Sequence, residues 1–178
     1  GEQHAQHSHV FYSDDCGVSW KLGGTMPPDT DECQVVELED GSLQLNMRQY
    51  TGPKCRALAH SADGGDTWSD MTFSEELVDS LCQASSIRYS FADGGDKSRI
   101  LFANPACTAR EKMTVKLSYD EGKTWPVSKL IYEGAVAYSS MTVLANGDIG
   151  LLYWLWMGPK IIFARFSLDW LTDGEDRV

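Results

Sequence analysis

The 178-residue chain has no apolar run long enough to cross a membrane as a helix. Its longest candidate, Ile149–Met157, is nine residues and stops at Gly158-Pro159, whereas a span needs roughly 20. The opening GEQHAQHSHV has neither a basic region nor an apolar stretch, so it does not read as a secretory leader. Positive charge is scarce: 15 Lys and Arg stand against 26 Asp and Glu, a net charge of −11. That disfavours nucleic acid and anionic membranes as partners. An anion site in such a chain must concentrate its few arginines locally. Cysteine is limited to positions 16, 33, 55, 82 and 107. The odd number and the lack of CxxC spacing argue against a zinc cluster or a complete disulfide framework, leaving one or two bridges or free thiols open. His4, His7 and His9 have no Cys or carboxylate at ligand spacing, so neither metal nor cofactor is expected. Asn46, Asn104 and Asn146 all fail the N-x-[ST] sequon.

What is present is a globular composition. Hydrophobic residues make up 42%, and six Trp, seven Tyr and six Phe require a core. Helical periodicity is nearly absent; one short helix is expected near Ser74–Leu81, with Ser74 as its cap. Alternation dominates instead. Leu43, Leu45 and Met47 share one face while Gln44, Asn46 and Arg48 share the other, and Met113, Val115 and Leu117 alternate with Thr114, Lys116 and Ser118. Further strands are expected at 9–13, 34–38, 56–61, 86–91, 99–103, 139–145, 149–155 and 160–167. Turn signals at Asp40-Gly41, Gly64-Gly65, Gly94-Gly95, Asn146-Gly147 and Gly158-Pro159 separate the runs. The chain reads as all-β, with about a dozen short strands.

A repeat sets the architecture. The pattern S-x-D-x-G-x-[ST]-W occurs at Ser13–Trp20, Ser61–Trp68 and Ser118–Trp125, spaced by 48 and 57 residues. That is the period of a propeller blade. The pattern has a mechanical reason. The Asp accepts hydrogen bonds from the following turn, the Gly takes a positive φ, and the Trp covers the turn with apolar area. The boxes are therefore expected to be structural, on a rim away from any central site.

These boxes and their neighbours resemble the sialidases, six-bladed β-propellers that remove terminal sialic acid. Residues 9–20 are similar to a segment of animal lysosomal-type members. Asp31-Glu32-Cys33-Gln34 with Asn46-Met47-Arg48, Asn104-Pro105 with Arg110, Ala137-Tyr138-Ser139-Ser140-Met141, and residues 163–172 resemble successive family segments. The resemblance implies an exo-α-sialidase with Tyr138 as nucleophile, Glu32 as its proton partner, and Arg48 and Arg110 as two of three arginines that hold the substrate carboxylate. It implies sialylated glycoproteins, oligosaccharides or gangliosides as partners and a lysosomal or secreted setting. The chemistry suits these residue types. An Arg fork holds a carboxylate better than Lys, and a neutral Tyr avoids repulsion by the substrate's own carboxylate. Arg56 and Arg88 read as surface charges, and Cys33 as a packed thiol.

The departures from the family pattern are as informative. No counterpart of the third arginine or the acid/base aspartate is found, and Trp154 stands where a glutamate is usual; Glu133 is near in sequence. Residues 1–178 thus read as the C-terminal half of a propeller catalytic domain, about three blades, with the N-terminal half expected upstream. The isolated polypeptide is expected to be inactive or nearly so, since a positioned general acid is worth on the order of 10²–10⁴-fold. Two further readings stay open: a non-catalytic sialic-acid-binding propeller, and a structural propeller in which Glu32, Arg48, Arg110 and Tyr138 lie apart.

Overall fold

A computed structural model describes residues 6–93, 95–158 and 160–178. Among these residues, twelve strands and one helical turn account for the regular structure. They are β1 (His7–Tyr12), β2 (Lys21–Pro28), β3 (Thr30–Glu37), β4 (Leu43–Gln49), β5 (Cys55–Ser61), β6 (Thr72–Val78), β7 (Ser85–Ser90), β8 (Arg99–Pro105), β9 (Glu111–Ser118), β10 (Val127–Val143), β11 (Ile149–Leu155), β12 (Lys160–Phe166) and α1 (Leu168–Leu171). Every pairing is antiparallel between sequence neighbours. β3–β6 form one four-stranded blade. β7–β9 with the first half of β10 form a second, and the second half of β10 with β11 and β12 forms a three-stranded third. β1 and β2 form a ribbon flanking a box, as the third and fourth strands of each complete blade do. The fold is a partial β-propeller. No helix among the described residues is long and apolar enough to cross a membrane.

The cores lie between sheets. Met26 packs with Leu45, Met47, Ala57 and Ala59 between the ribbon and the first blade. Val36, Leu38, Leu77, Ile100, Phe102 and Trp125 fill the next gap, and Leu101, Ala103, Met113, Val115, Leu117, Leu151 and Tyr153 the last. β8 serves two of them, Ile100 and Phe102 on one face and Leu101 and Ala103 on the other, so every residue from Arg99 to Pro105 is buried.

The three boxes repeat one hydrogen-bond set. Ser13 Oγ donates to Asp15 Oδ1 at 2.7 Å and accepts from Gly17 N at 2.8 Å, while Asp15 accepts from Ser19 N at 2.8 Å and Ser19 Oγ at 2.6 Å. The same contacts recur around Asp63 and Asp120. These bonds hold Asp15 and Asp63 at a pKa of about 2. The residue before the Gly is left-handed in each box, at Cys16, Gly64 and Glu121.

Four expectations need correction. The Ser74–Leu81 segment is a strand through Val78, not a helix: Thr72, Phe73 and Ser74 pair with Leu58, Ala57 and Arg56, and this pairing covers the outer edge of β5. The helical turn lies instead at Leu168–Leu171, capped by Ser167, whose hydroxyl accepts from Trp170 N at 3.1 Å. β10 begins at Val127, twelve residues before the expected strand at 139–145, because it serves two blades in succession. Arg56 and Arg88 are not surface charges. Arg56 is 1% exposed. Arg88 donates to the Glu37 carbonyl from Nε at 3.0 Å and pairs with Glu121 at 2.6 Å, clamping neighbouring blades. All five cysteines are free thiols. His7 and His9 are strand residues paired with Pro28 and Thr25; His4, Gly94 and Pro159 lie outside the described residues.

Candidate active site

The boxes close one end of the strands; the four residues singled out above gather at the other. Glu32 sits near the start of β3, where the pairing advances from Thr30–Gln49 to Cys33–Met47, three residues on one strand against two on the other. Tyr138 sits in a second such irregularity, between Val136–Leu155 and Ser139–Tyr153. An extra residue re-aims the side chains around it, and both bulges lie on strands at the hub of the fan. There the Tyr138 phenol donates to Glu32 Oε1 across 106 residues of sequence. Arg48, on β4 opposite the first bulge, donates from Nη1 to Glu32 Oε2 at 2.8 Å and lies 3.8 Å from Asp31. Arg110 precedes β9, and its backbone carbonyl accepts from Val136 N at 2.8 Å. Its guanidinium lies 5.9 Å from the Tyr138 ring centre and 4.8 Å from that of Trp156, with Nη2 donating to the Leu81 carbonyl at 2.8 Å. The four residues form one contiguous group, which argues against the structural-propeller reading.

The electrostatics assign protons. The hydrogen bond to Glu32 holds the Tyr138 pKa above its ordinary value; burial and the Glu32 charge add to this and Arg48 opposes it. At neutral pH the phenol therefore keeps its proton and donates it as a hydrogen bond to Glu32. For Arg48, burial disfavours the charge, but the Glu32 bond and charge outweigh it, and the net pKa is raised. Tyr50 is pushed up to about 12 by burial and by its hydrogen bond to Asp31, and the Arg48 guanidinium stacks 4.8 Å from its ring centre. Burial likewise pushes the Cys82 thiol up to about 11, so it is no thiolate nucleophile. Cys33 is raised by burial too and is a packed thiol.

Trp154 stands edge-on to Tyr138, ring centres 6.3 Å apart at 87°, and 5.1 Å from Trp156. Glu133 is exposed and forms no ion pair among the described residues, so it does not replace a carboxylate at Trp154. An open depression of about 380 Å³ lies beside Tyr138, lined by Gln83, Ser140, Leu152, Trp154 and Ile161. No group of His, Cys, Asp and Glu that could hold a metal ion occurs among the described residues.

Several residues of this end escaped sequence reasoning. Asp31 and Tyr50 brace Arg48, Gln83 braces Ser139, and Arg56 and Asp79 form an ion pair beneath the site with side chains 1% exposed. Only Arg56 left a readable signal. It lies in Cys55-Arg56-Ala57-Leu58-Ala59, where a lone charge among small apolar residues marks a buried ion pair.

Comparison with known proteins fits this geometry. The family model described as "BNR repeat-like domain" matches residues 1–151. A sialidase of Micromonospora viridifaciens is 40% identical over 165 residues, covering 90% of this chain and 25% of its own length. The anhydrosialidase of the leech Macrobdella decora is 34% identical, over 91% of this chain and 24% of its own. Among solved structures, the Hadza microbial sialidase Hz136 superposes with a TM-score of 0.81 at 34% identity, over 93% of this chain and 33% of its own. The chain thus spans a quarter to a third of these relatives' length. It belongs to the BNR-repeat sialidase family.

Proposed function

We propose that the whole protein is a retaining exo-α-sialidase, with Tyr138 as nucleophile, Glu32 as its base, and Arg48 and Arg110 as part of the clamp on the substrate carboxylate. The observation that carries this reading is the Tyr138–Glu32 hydrogen bond, flanked on both sides by arginine. In the first step the phenolic oxygen bonds to the anomeric carbon as the glycosidic C–O bond breaks, and the phenolic proton passes to Glu32. Water then attacks the anomeric carbon, giving up one proton to the acid/base group that had protonated the leaving group; the tyrosyl bond breaks and Glu32 returns its proton to Tyr138, and two displacements give net retention. Arg48 holds Glu32 aimed at the phenol, as its Nη1 is bonded to that carboxylate. The leaving group needs a general acid and the clamp a third arginine. We infer that both come from blades outside residues 1–178, with this chain as the C-terminal half of the ring. Terminal sialic acids on glycoproteins, oligosaccharides or gangliosides are the proposed substrates. The resemblance of residues 9–20 to lysosomal-type enzymes supports a lysosomal or secreted setting.

A 2,3-difluorosialic acid tests the nucleophile directly, because fluoride departs without protonation. Intact-mass and peptide mass spectrometry should find one sialyl adduct on Tyr138, absent in Tyr138→Phe. An adduct elsewhere, or none on the whole protein, refutes the assignment. The isolated 178-residue chain should release little or no fluorophore from a fluorogenic sialoside.

A further inference from the structure

Beneath the site lies an ionic cluster that the proposed reaction does not use. The Arg56 and Asp79 side chains are each 1% exposed. Arg56 donates from Nε to Asn46 Oδ1 at 2.7 Å, and from Nη1 to Asp79 Oδ2 at 3.2 Å and the Cys82 carbonyl at 2.9 Å. Asp79 Oδ1 accepts in turn from Cys82 N at 3.2 Å. The backbone between them passes through Leu81 at φ +54°, a left-handed conformation that a leucine holds only when its surroundings impose it.

The segment held in this way reaches the site twice. The Leu81 carbonyl accepts from Arg110 Nη2 at 2.8 Å. The Gln83 amide clasps Ser139, the neighbour of Tyr138, accepting from its N at 2.9 Å and donating to its carbonyl at 3.0 Å. The third partner of Arg56, Asn46, lies on β4 two residues from Arg48. The bonds of Arg56 therefore end either on β4, which carries Arg48, or on the 79–83 segment, which bonds Arg110 and Ser139. Stability alone is a poor reason for such a cluster, since buried ion pairs replaced by apolar residues are often as stable. Lysine, a point charge, does not reproduce a planar fork that reaches three acceptors.

We propose that Arg56 is a positioning residue: through Asp79 and residues 79–83 it sets where Arg110 and Tyr138 stand. This rests on the reading of Tyr138 as nucleophile, but it is testable without turnover.

The test uses the 178-residue chain with ¹³Cζ-labelled tyrosine, the Tyr138 resonance being the one lost in Tyr138→Phe. The variants are Arg56→Lys, the apolar pair Arg56→Met with Asp79→Leu, and Gln83→Ala. Circular dichroism establishes that each is folded. Tyr138 should titrate measurably lower than in the parent, moving toward 10 as its bond to Glu32 loosens. Tyr12, at the box end, should titrate unchanged. Folded Arg56 variants with the parental Tyr138 titration would overturn the proposal. If those variants do not fold, Gln83→Ala, which leaves the buried pair in place, decides in the same way. Failure to form the fluorosialyl adduct would sink the enzymatic reading and leave the titration result standing.

Discussion

Replacing Glu32 with glutamine keeps its size and one acceptor oxygen but removes the charge on which two neighbours depend. Arg48 donates to it at 2.8 Å with 11% of its side chain exposed, and Tyr138 donates from the other side. A hydrogen bond to a charged group contributes about 1.5–3 kcal/mol and a neutral one about 0.5–1.5, so the Arg48 bond loses about 1–1.5 kcal/mol. Tyr138 is 40% exposed, and solvent screening limits its share to about 0.5 kcal/mol. The loss of about 1–2 kcal/mol lowers Tm by roughly 2–8 °C for a chain of this size. Glu32→Ala also leaves the Arg48 guanidinium without its acceptor, and Arg48 Nε is already buried without a partner. Breaking a buried pair costs about 3–5 kcal/mol, and Asp31 at 3.8 Å is placed to recover part of it. The alanine variant should therefore lie near the lower figure, still below the glutamine variant. Thermal melts at pH 7 rank the three proteins, and the Tyr138 titration should fall toward 10 furthest in Glu32→Ala, where the hydrogen bond that mainly raises it is gone, and less far in Glu32→Gln, where only the charge is removed. Equal melting temperatures with an unchanged Tyr138 titration would refute the reasoning, since Glu32 would then hold neither neighbour.

Asp176 pairs with Arg99 through both carboxylate oxygens at 2.8 Å, which holds its pKa at about 2 against an ordinary 3.8. A depressed carboxylate contributes stability that is complete above its unfolded pKa and lost as pH falls through the folded one. About 2 kcal/mol should therefore disappear between pH 4 and 2; urea unfolding across that window should show this portion of the slope missing in Asp176→Asn. Gly23 lies where β2 meets the second box: Gly24 N donates to the Gly65 carbonyl at 2.8 Å, and a Cβ on Gly23 would stand 2.9 Å from Val10 Cγ2 and run into that same carbonyl. Gly23→Ala should cost about 1–3 kcal/mol; an unchanged Tm would show that the ribbon is not docked on that box.

The sequence was most legible where structure is local. The boxes are self-contained turns, and their Ser, Asp and Thr side chains make the same bonds in each copy, so the pattern alone located three hairpins. β4 and β9 were legible because alternation survives when one face is polar. β8 carries no alternation, since both its faces are buried, and was found only as an apolar run. β10 was half missed because one strand serves two blades, and no local signal marks a sheet changing partners. Thr72–Val78 misled because Ser74-Glu75-Glu76-Leu77 suits a helix start, while the need to cover β5 decided for strand. Glu32, Arg48, Arg110 and Tyr138 came from resemblance; their convergence depends on pairings 16 to 106 residues apart that no local pattern contains. Arg88 was misjudged for the same reason, because its partner Glu121 is remote in sequence, whereas Arg56 was misjudged although its apolar neighbours marked it as buried.

How two such distant residues meet follows from the hub. β3 and β7 are edge strands of their blades, and the second half of β10 has β11 on one side only. Their backbone N–H groups facing the hub have no strand to pair with, and unpaired edges invite foreign strands. Here side chains from the preceding blade take that place. Gln34 on β3 accepts from Ser86 N on β7 at 3.1 Å; Ser85 accepts from Met141 N at 2.9 Å, and Gln83 from Ser139 N at 2.9 Å. Side-chain bridges leave more room than a strand ladder, so the hub stays open enough for a phenol and a carboxylate to meet across it. They also bind each blade to the next at the level of the two bulges, where ladder bonds have been given up. The Tyr138–Glu32 contact and the cohesion of the fan thus depend on the same short row of polar side chains.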